Sequence, residues 1–428
     1  MRHLHSVAFA GVVALAATAG PAVADPFVPV ELLSTIAIPA SPENNQGGNF
    51  TAFDISFVDP TTGLDYVADR SNAAIDVFGN QQFLGRTPGT TNGVQTFAGQ
   101  KATTSISGPD GVLVTNGGGN HTLFGGDGGS TLRAFGLTSA GLPTAQLFST
   151  YTGGGAFRVD EMAYSPTTNL VLAANNANAP AFATLVNAST GAIVHGPITI
   201  PGASMTDGLE QSVWNPNTNT FFVSVPAIAG SGPGGIAEID PNTGNVTHVY
   251  NLGTLSGGLT SCSPAGLALG GSGNLMVGCG NAATQTVVLN PTANGGNGAI
   301  VTTLAAVSGS DELWYDATNH NFYVTGVDSS GNRVIGIFAD GTYSLLQSID
   351  LTALGADNVN AHSVAVDPFN GDVYVPLEGT TSTATDTLCP NGCVAVFGVP
   401  EPGSLPLLVV GLAGLMGFAL RRQFCPRQ

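Results

Sequence analysis

The sequence predicts an all-β fold assembled from seven like units, on the strength of its composition, a recurring turn and the spacing of that turn. Its 428 residues include 59 Gly and 26 Pro, and 43% are hydrophobic while only 9% are charged. Such a chain has ample core but few of the Lys and Glu that cover helices, so it favours short strands joined by tight turns. The turn ends an apolar strand with Asp-Pro or a relative and leads into a second strand. It reads Asp59-Pro60-Thr61-Thr62-Gly63, Ser165-Pro166-Thr167-Thr168-Asn169, Asn215-Pro216-Asn217-Thr218-Asn219, Asp316-Ala317-Thr318-Asn319-His320 and Asp367-Pro368-Phe369-Asn370-Gly371. Its second residues fall at 60, 166, 216, 317 and 368, so intervals of 50 and 51 alternate with doubled ones of 106 and 101. Degenerate copies at 106–114 and 267–277 fill both gaps.

A period near 50 with four short strands per unit is the sequence sign of a β-propeller, because a lone four-stranded sheet must bury both faces on its neighbours. The first unit supplies strands at 53–58, 64–69, 74–78 and 82–85. The last supplies only three, at 363–366, 372–376 and 393–397, so the unassigned segment 31–38 is expected to complete it, join the chain ends and remove an exposed edge. Rings of six or eight blades are the alternative. In Leu64-Asp65-Tyr66-Val67-Ala68-Asp69 and Asp372-Val373-Tyr374-Val375 the units resemble YVTN and NHL repeats. That resemblance implies the fold but no single function, since such propellers bind proteins, sugars or metals and a minority are lactonases.

The two ends read as addresses. Residues 1–24 carry a basic head (Arg2), an apolar run from Val7 to about Ala17, and small residues at Ala22 and Ala24, the order of a secretory signal peptide cut by signal peptidase after Ala24. An uncleaved anchor is the alternative. Residues 399–428 carry Pro400-Glu401-Pro402, an apolar stretch from Leu405 to Leu420, and Arg421-Arg422. This segment resembles the PEP-CTERM sorting signal, with a longer tail than usual. The resemblance implies an exosortase as processing partner, transient inner-membrane anchoring by a helix at 405–420, and release towards the cell surface of a bacterium that makes exopolysaccharide. A plain C-terminal anchor is the alternative. Sixteen helical residues rise roughly 24 Å, short for a ~30 Å hydrocarbon core, which would hold the prolines at the outer interface and the arginines inside.

Between these ends, residues 25–399 hold 6 basic and 27 acidic groups, a net −21 against −18 for the whole chain. That sign disfavours nucleic acid and anionic membranes and favours cations. Cys425 falls beyond the apolar stretch, leaving Cys262, Cys279, Cys389 and Cys393 in the exported body 25–398. An even number in an oxidising compartment reads as two disulfides, Cys262 with Cys279 across a hairpin and Cys389 with Cys393 across a tight loop. A four-thiolate metal site is the less suited alternative.

Aligning the units places Asp54, Thr103, Asp160, Glu210, Ala265, Asp311 and His362 at the start of the innermost strands, followed by Glu161, Gln211 and Glu312. Innermost strands line the axial channel, so Asp160, Glu161, Glu210, Asp311, Glu312 and His362 are the candidate ligands of Ca²⁺ or Mg²⁺, which take hard oxygen donors. The group resembles in kind the central site of gluconolactonase-type propellers, without a residue-by-residue match. The competing readings are acids bonded to neighbouring backbone and a catalytic centre. The Gly-rich stretches 116–120 and 125–129 read as loops, and Trp214, Trp314 and Tyr164 as packing positions. Together these features predict an exported, surface or matrix-associated binding module, monomeric, with exopolysaccharide or surface proteins as partners. A metal-dependent hydrolase of lactonase type is the alternative.

Overall fold

In the computed structural model the described residues are 27–89, 97–117, 120–203, 208–228, 232–280, 285–356, 361–379 and 386–400. The signal segment, residues 401–428 and the apolar stretch 405–420 lie outside them, and among the described residues no helix is long and apolar enough to cross a membrane.

Seven four-stranded antiparallel sheets form a ring. Blade 1 runs outward through Phe53–Val58, Asp65–Asp69, Ala74–Gly79 and Gln82–Arg86. Blades 2 to 6 repeat this plan, with innermost strands Val112–Gly117, Met162–Ser165, Ser212–Asn215, Pro264–Leu269 and Leu313–Asp316. Blade 7 departs from chain order: Ala365–Val366, Val373–Leu377 and Cys393–Gly398 are completed by Glu31–Ala37 from the start of the body. The closing pair is antiparallel, with Thr35 opposite Ala395 and Ala37 opposite Cys393. Ile36 sits in one core with Phe53, Val67, Tyr374 and Val394, so it bridges blades 7 and 1.

The repeated turn has a side-chain cause. Asp59 accepts hydrogen bonds from Thr61 N (2.9 Å) and Thr62 Oγ1 (2.8 Å), and the turn returns through Gly63 at φ 72°. Asn215, Asp316 and Asp367 cap their own turns in the same way, through Asn217 N, Thr318 N and Phe369 N. The residue four places on takes positive φ each time, as Asn219, His320 and Gly371. Such side-chain-capped turns demand Asp or Asn first and tolerate Gly or Asn at the left-handed position, which is what recurred in the sequence.

Second strands such as Asp65–Asp69 and Leu170–Asn175 are buried throughout, whereas the outer strand Ile193–Thr199 is mostly exposed. Sandwiching between blades buries both faces near the axis and relaxes outward. The Gly-rich stretches are corrected here. Gly125 and Gly126 lie inside the strand Asn120–Asp127, because a Cβ on Gly126 would stand 2.3 Å from the Val159 carbonyl of the next blade. Both expected disulfides are formed, Cys262–Cys279 and Cys389–Cys393, which removes the four-thiolate alternative.

Candidate functional site

The starts of the innermost strands do crowd one mouth of the axial channel, with a change of register in blade 2. Asp160, Glu210 and Asp311 each stand two residues before their strands, and the blade 2 residue in that place is Asp110, ahead of Val112–Gly117. Thr103, which the sequence alignment put there, precedes a short 3₁₀ turn at Thr104–Ile106 instead. The alignment slipped because blade 2 lacks the Asp-Pro turn; the apolar alternation of Val112, Leu113 and Val114 after Asp110 was the usable signal.

Carboxylate oxygens of Asp54, Asp110 and Asp160 come within 4.8 Å of one another. Of the six residues expected as ligands, Asp160 alone belongs to this group. Two arginines outside the repeat pattern hold it. Arg70, just after the second strand of blade 1, reaches Asp54 through Nη2 and Asp110 through Nε. Arg158 donates from Nη1 to Asp110 (3.2 Å) and from Nη2 to Asp160 (2.6 Å), and its Nε donates to Asn176 Oδ1 (3.2 Å). Asn176 in turn donates to Asp160. The clamp therefore ties blades 1, 2 and 3 together.

Burial pushes Asp54 up, but Arg70, the His362 contact and Arg158 outweigh it and hold that carboxyl well below its usual range. Asp110 is pushed up to about 6 by burial, against the pull of both arginines. Asp160 is driven well up by burial, with Asp54 and Asp110 repelling it and Arg158 opposing. Of the three carboxyls, Asp54 is thus the one held most firmly in its ionised form. His362 lies with Nε2 3.7 Å from Asp54 and its ring stacked on Phe53, centroids 4.3 Å apart. Three carboxylates are the right donors for a hard cation. Two guanidiniums already supply positive charge at this place.

The remaining acids have other settings. Ser363 Oγ donates to Glu312 and accepts from Ser56 N (2.8 Å), a relay across blades 6, 7 and 1. Glu210 and Asp311 are half-buried and pushed up by burial, Glu210 also by Asp160 and Asp311. Gln211 ties blades 4, 5 and 6 across the channel: its Oε1 accepts from Leu267 N and Leu313 N, and its Nε2 donates to Leu313 O (3.0 Å).

Beyond Gln211 the channel opens into a cavity of about 280 Å³ at the other end of the inner strands, lined by Phe57, Trp214, Trp314, Tyr315 and Glu161 among others. The tryptophans do pack as expected, Trp214 edge-on to Phe221 and Trp314 edge-on to Phe57. Their second role as walls of an axial cavity was not foreseen, because equivalent positions in different blades converge only once the ring closes.

Residues 398–423 match the PEP-CTERM protein-sorting motif. No curated protein matches the chain. In fold it is similar to the β-propeller domain of Myceliophteria thermophila Cps50 (Swd1), with TM-score 0.59 and 10% identity over 87% of this chain and 100% of that one. It is also similar to the WD40 β-propeller domain of Doa1, with TM-score 0.56 and 14% identity over 88% and 99%. A chain of the mitotic checkpoint complex gives 0.54 and 12% over 93% and 100%. Identities this low speak for the fold alone. The chain is a seven-bladed β-propeller bearing a PEP-CTERM sorting motif, which implies export, membrane-anchored transit and processing by an exosortase.

Proposed function

We propose that this exported propeller is a monomeric binding module of the cell surface or extracellular matrix, with exopolysaccharide or surface proteins as partners. The observation that carries the reading is the occupation of the acidic channel mouth by Arg70 and Arg158. Acids arranged for metal-assisted hydrolysis must face an ion and an open coordination position together. Here they face fixed guanidiniums and hold blades in register, which leaves the rigid ring to present its faces to a partner. The test is co-sedimentation of the exported protein with matrix and surface fractions, alongside lactone hydrolysis with and without Ca²⁺ or Mg²⁺. Saturable association without hydrolysis supports the module. Metal-dependent lactone turnover lost in Asp54→Asn would overturn it in favour of the hydrolase.

A further inference from the structure

We propose that the axial cavity beyond Gln211 binds an organic cation, a quaternary or alkylated ammonium group, against aromatic walls that include Trp214, Trp314, Phe57 and Tyr315, with Glu161 as counter-charge. This deepens the binding-module reading and rests on it. Three observations converge. The walls of this 280 Å³ cavity carry four aromatic rings, and ring faces attract cations more strongly where water is excluded. Glu161 lines the same cavity at 6% exposure, and no described residue makes a hydrogen bond with its carboxyl group. A buried carboxyl without a partner is costly unless it is neutral or paired. Among the described residues, the charged groups acting most strongly on Glu161 are all acids: Glu312 from blade 6, Asp160 from its own blade, Asp54 from blade 1 and Glu210 from blade 4. Arg70, Arg158 and His362 are turned to Asp54, Asp110 and Asp160.

Other ligand classes suit the cavity less well. A hard metal ion takes six to eight oxygens, and one unbonded carboxyl is present. A sugar needs many directional partners, but Gln211 bonds to backbone through both its oxygen and its nitrogen, Ser56 Oγ donates to Asp65 (2.7 Å) and Tyr315 donates to Asp340 (3.1 Å), so Ser212 Oγ and Trp214 Nε1 are the two unpaired neutral polar atoms among the described side chains of the wall. A round, weakly hydrated cation needs only ring faces and one charge.

Burial, and then Glu312, Asp160, Asp54 and Glu210, push the Glu161 carboxyl well above its usual range, which favours its neutral form over the ionised one. A bound cation favours the ionised carboxylate, so binding is coupled to loss of a proton and affinity is expected to rise with pH. The experiment is calorimetric titration of the full chain with choline and with its uncharged isostere 3,3-dimethylbutan-1-ol, at pH 6 and pH 8. The expected result is choline binding about tenfold tighter than the isostere, the scale of one or two cation–π contacts, and tighter at pH 8 than at pH 6. Glu161→Gln should abolish the pH dependence. Should that variant not fold, the comparison of isosteres on the unaltered protein still decides. Equal binding of the two probes, no saturable binding of choline, or displacement of choline by neutral sugars overturns the proposal. Retained co-sedimentation with the matrix in that event removes the cation site alone, whereas loss of both removes the module reading as well.

Discussion

Replacing Arg158 by Leu tests whether the acidic mouth is a clamp. The side chain is 12% exposed and meets Asp110, fully buried, and Asp160, 3% exposed. Removing one partner of a buried ion pair costs about 3–5 kcal/mol, because the other is left desolvated and unpaired. Arg70 still faces Asp110 and Asp54 in the variant, which puts the expected loss near the lower end, about 3 kcal/mol at pH 8. The loss should shrink towards pH 5. Asp110 already sits near 6, and without Arg158 it rises further, so protons replace the missing charge as the solution is acidified. Urea denaturation followed by Trp fluorescence at both pH values gives the two numbers. Adding Asp110→Asn to the variant should restore part of the stability, since an amide needs no counter-ion. A loss below about 1 kcal/mol at pH 8, against the 3–5 expected of a buried pair, or one that is the same at pH 5, would refute the clamp.

Four other perturbations bear on the same architecture. Stability should fall as pH rises from 5 to 8: Asp65, fully buried, is pushed up to about 7 from 3.8, so the folded state holds a proton the unfolded chain has released, worth about 3 kcal/mol over that interval. Asp54 works in the opposite sense but only below its ordinary range, outside this window; a urea midpoint that rises with pH would contradict the assignment. Gly111→Ala should cost at least about 1–3 kcal/mol by thermal melting, because the new Cβ would lie 1.9 Å from the Asp160 carbonyl and force blades 2 and 3 apart. Ile36→Ala, at 6% exposure in the closing strand, should cost about 2–4 kcal/mol and promote association through the loosened edge, visible by light scattering. Opening Cys262–Cys279, which spans 17 residues, by paired Ser substitution should cost about 3 kcal/mol in denaturant.

The parts legible in the sequence are those whose cause is local. Asp59, Asn215, Asp316 and Asp367 cap turns with their own side chains, so the repeat announced itself wherever those residues survived. The closing strand Glu31–Ala37 was legible by subtraction, because blade 7 lacked a fourth strand. Blade 2 was misaligned because its register is set by contact across the blade boundary: Gly111 and Gly126 pass against the backbone of blade 3, and no local turn records that.

The chemistry of the channel mouth depended on the same distinction between local and assembled causes. A repeat alignment finds residues that occupy equivalent places, and it therefore found acids. Counter-charges need not be equivalent, and these are not. Arg70 follows a second strand in blade 1, Arg158 stands two residues before Asp160, and no other unit has an arginine at either place. Only 6 basic residues exist between 25 and 399, and two of them are committed to the acids of one mouth. Strong surface potentials of one sign concentrate counter-ions near clefts that share that sign. The arginines thus offset the charge of the mouth they clamp, whereas Glu161, against which the strongest neighbouring charges are all acidic, would become a counter-charge in the proposed site only when a cation draws off its proton.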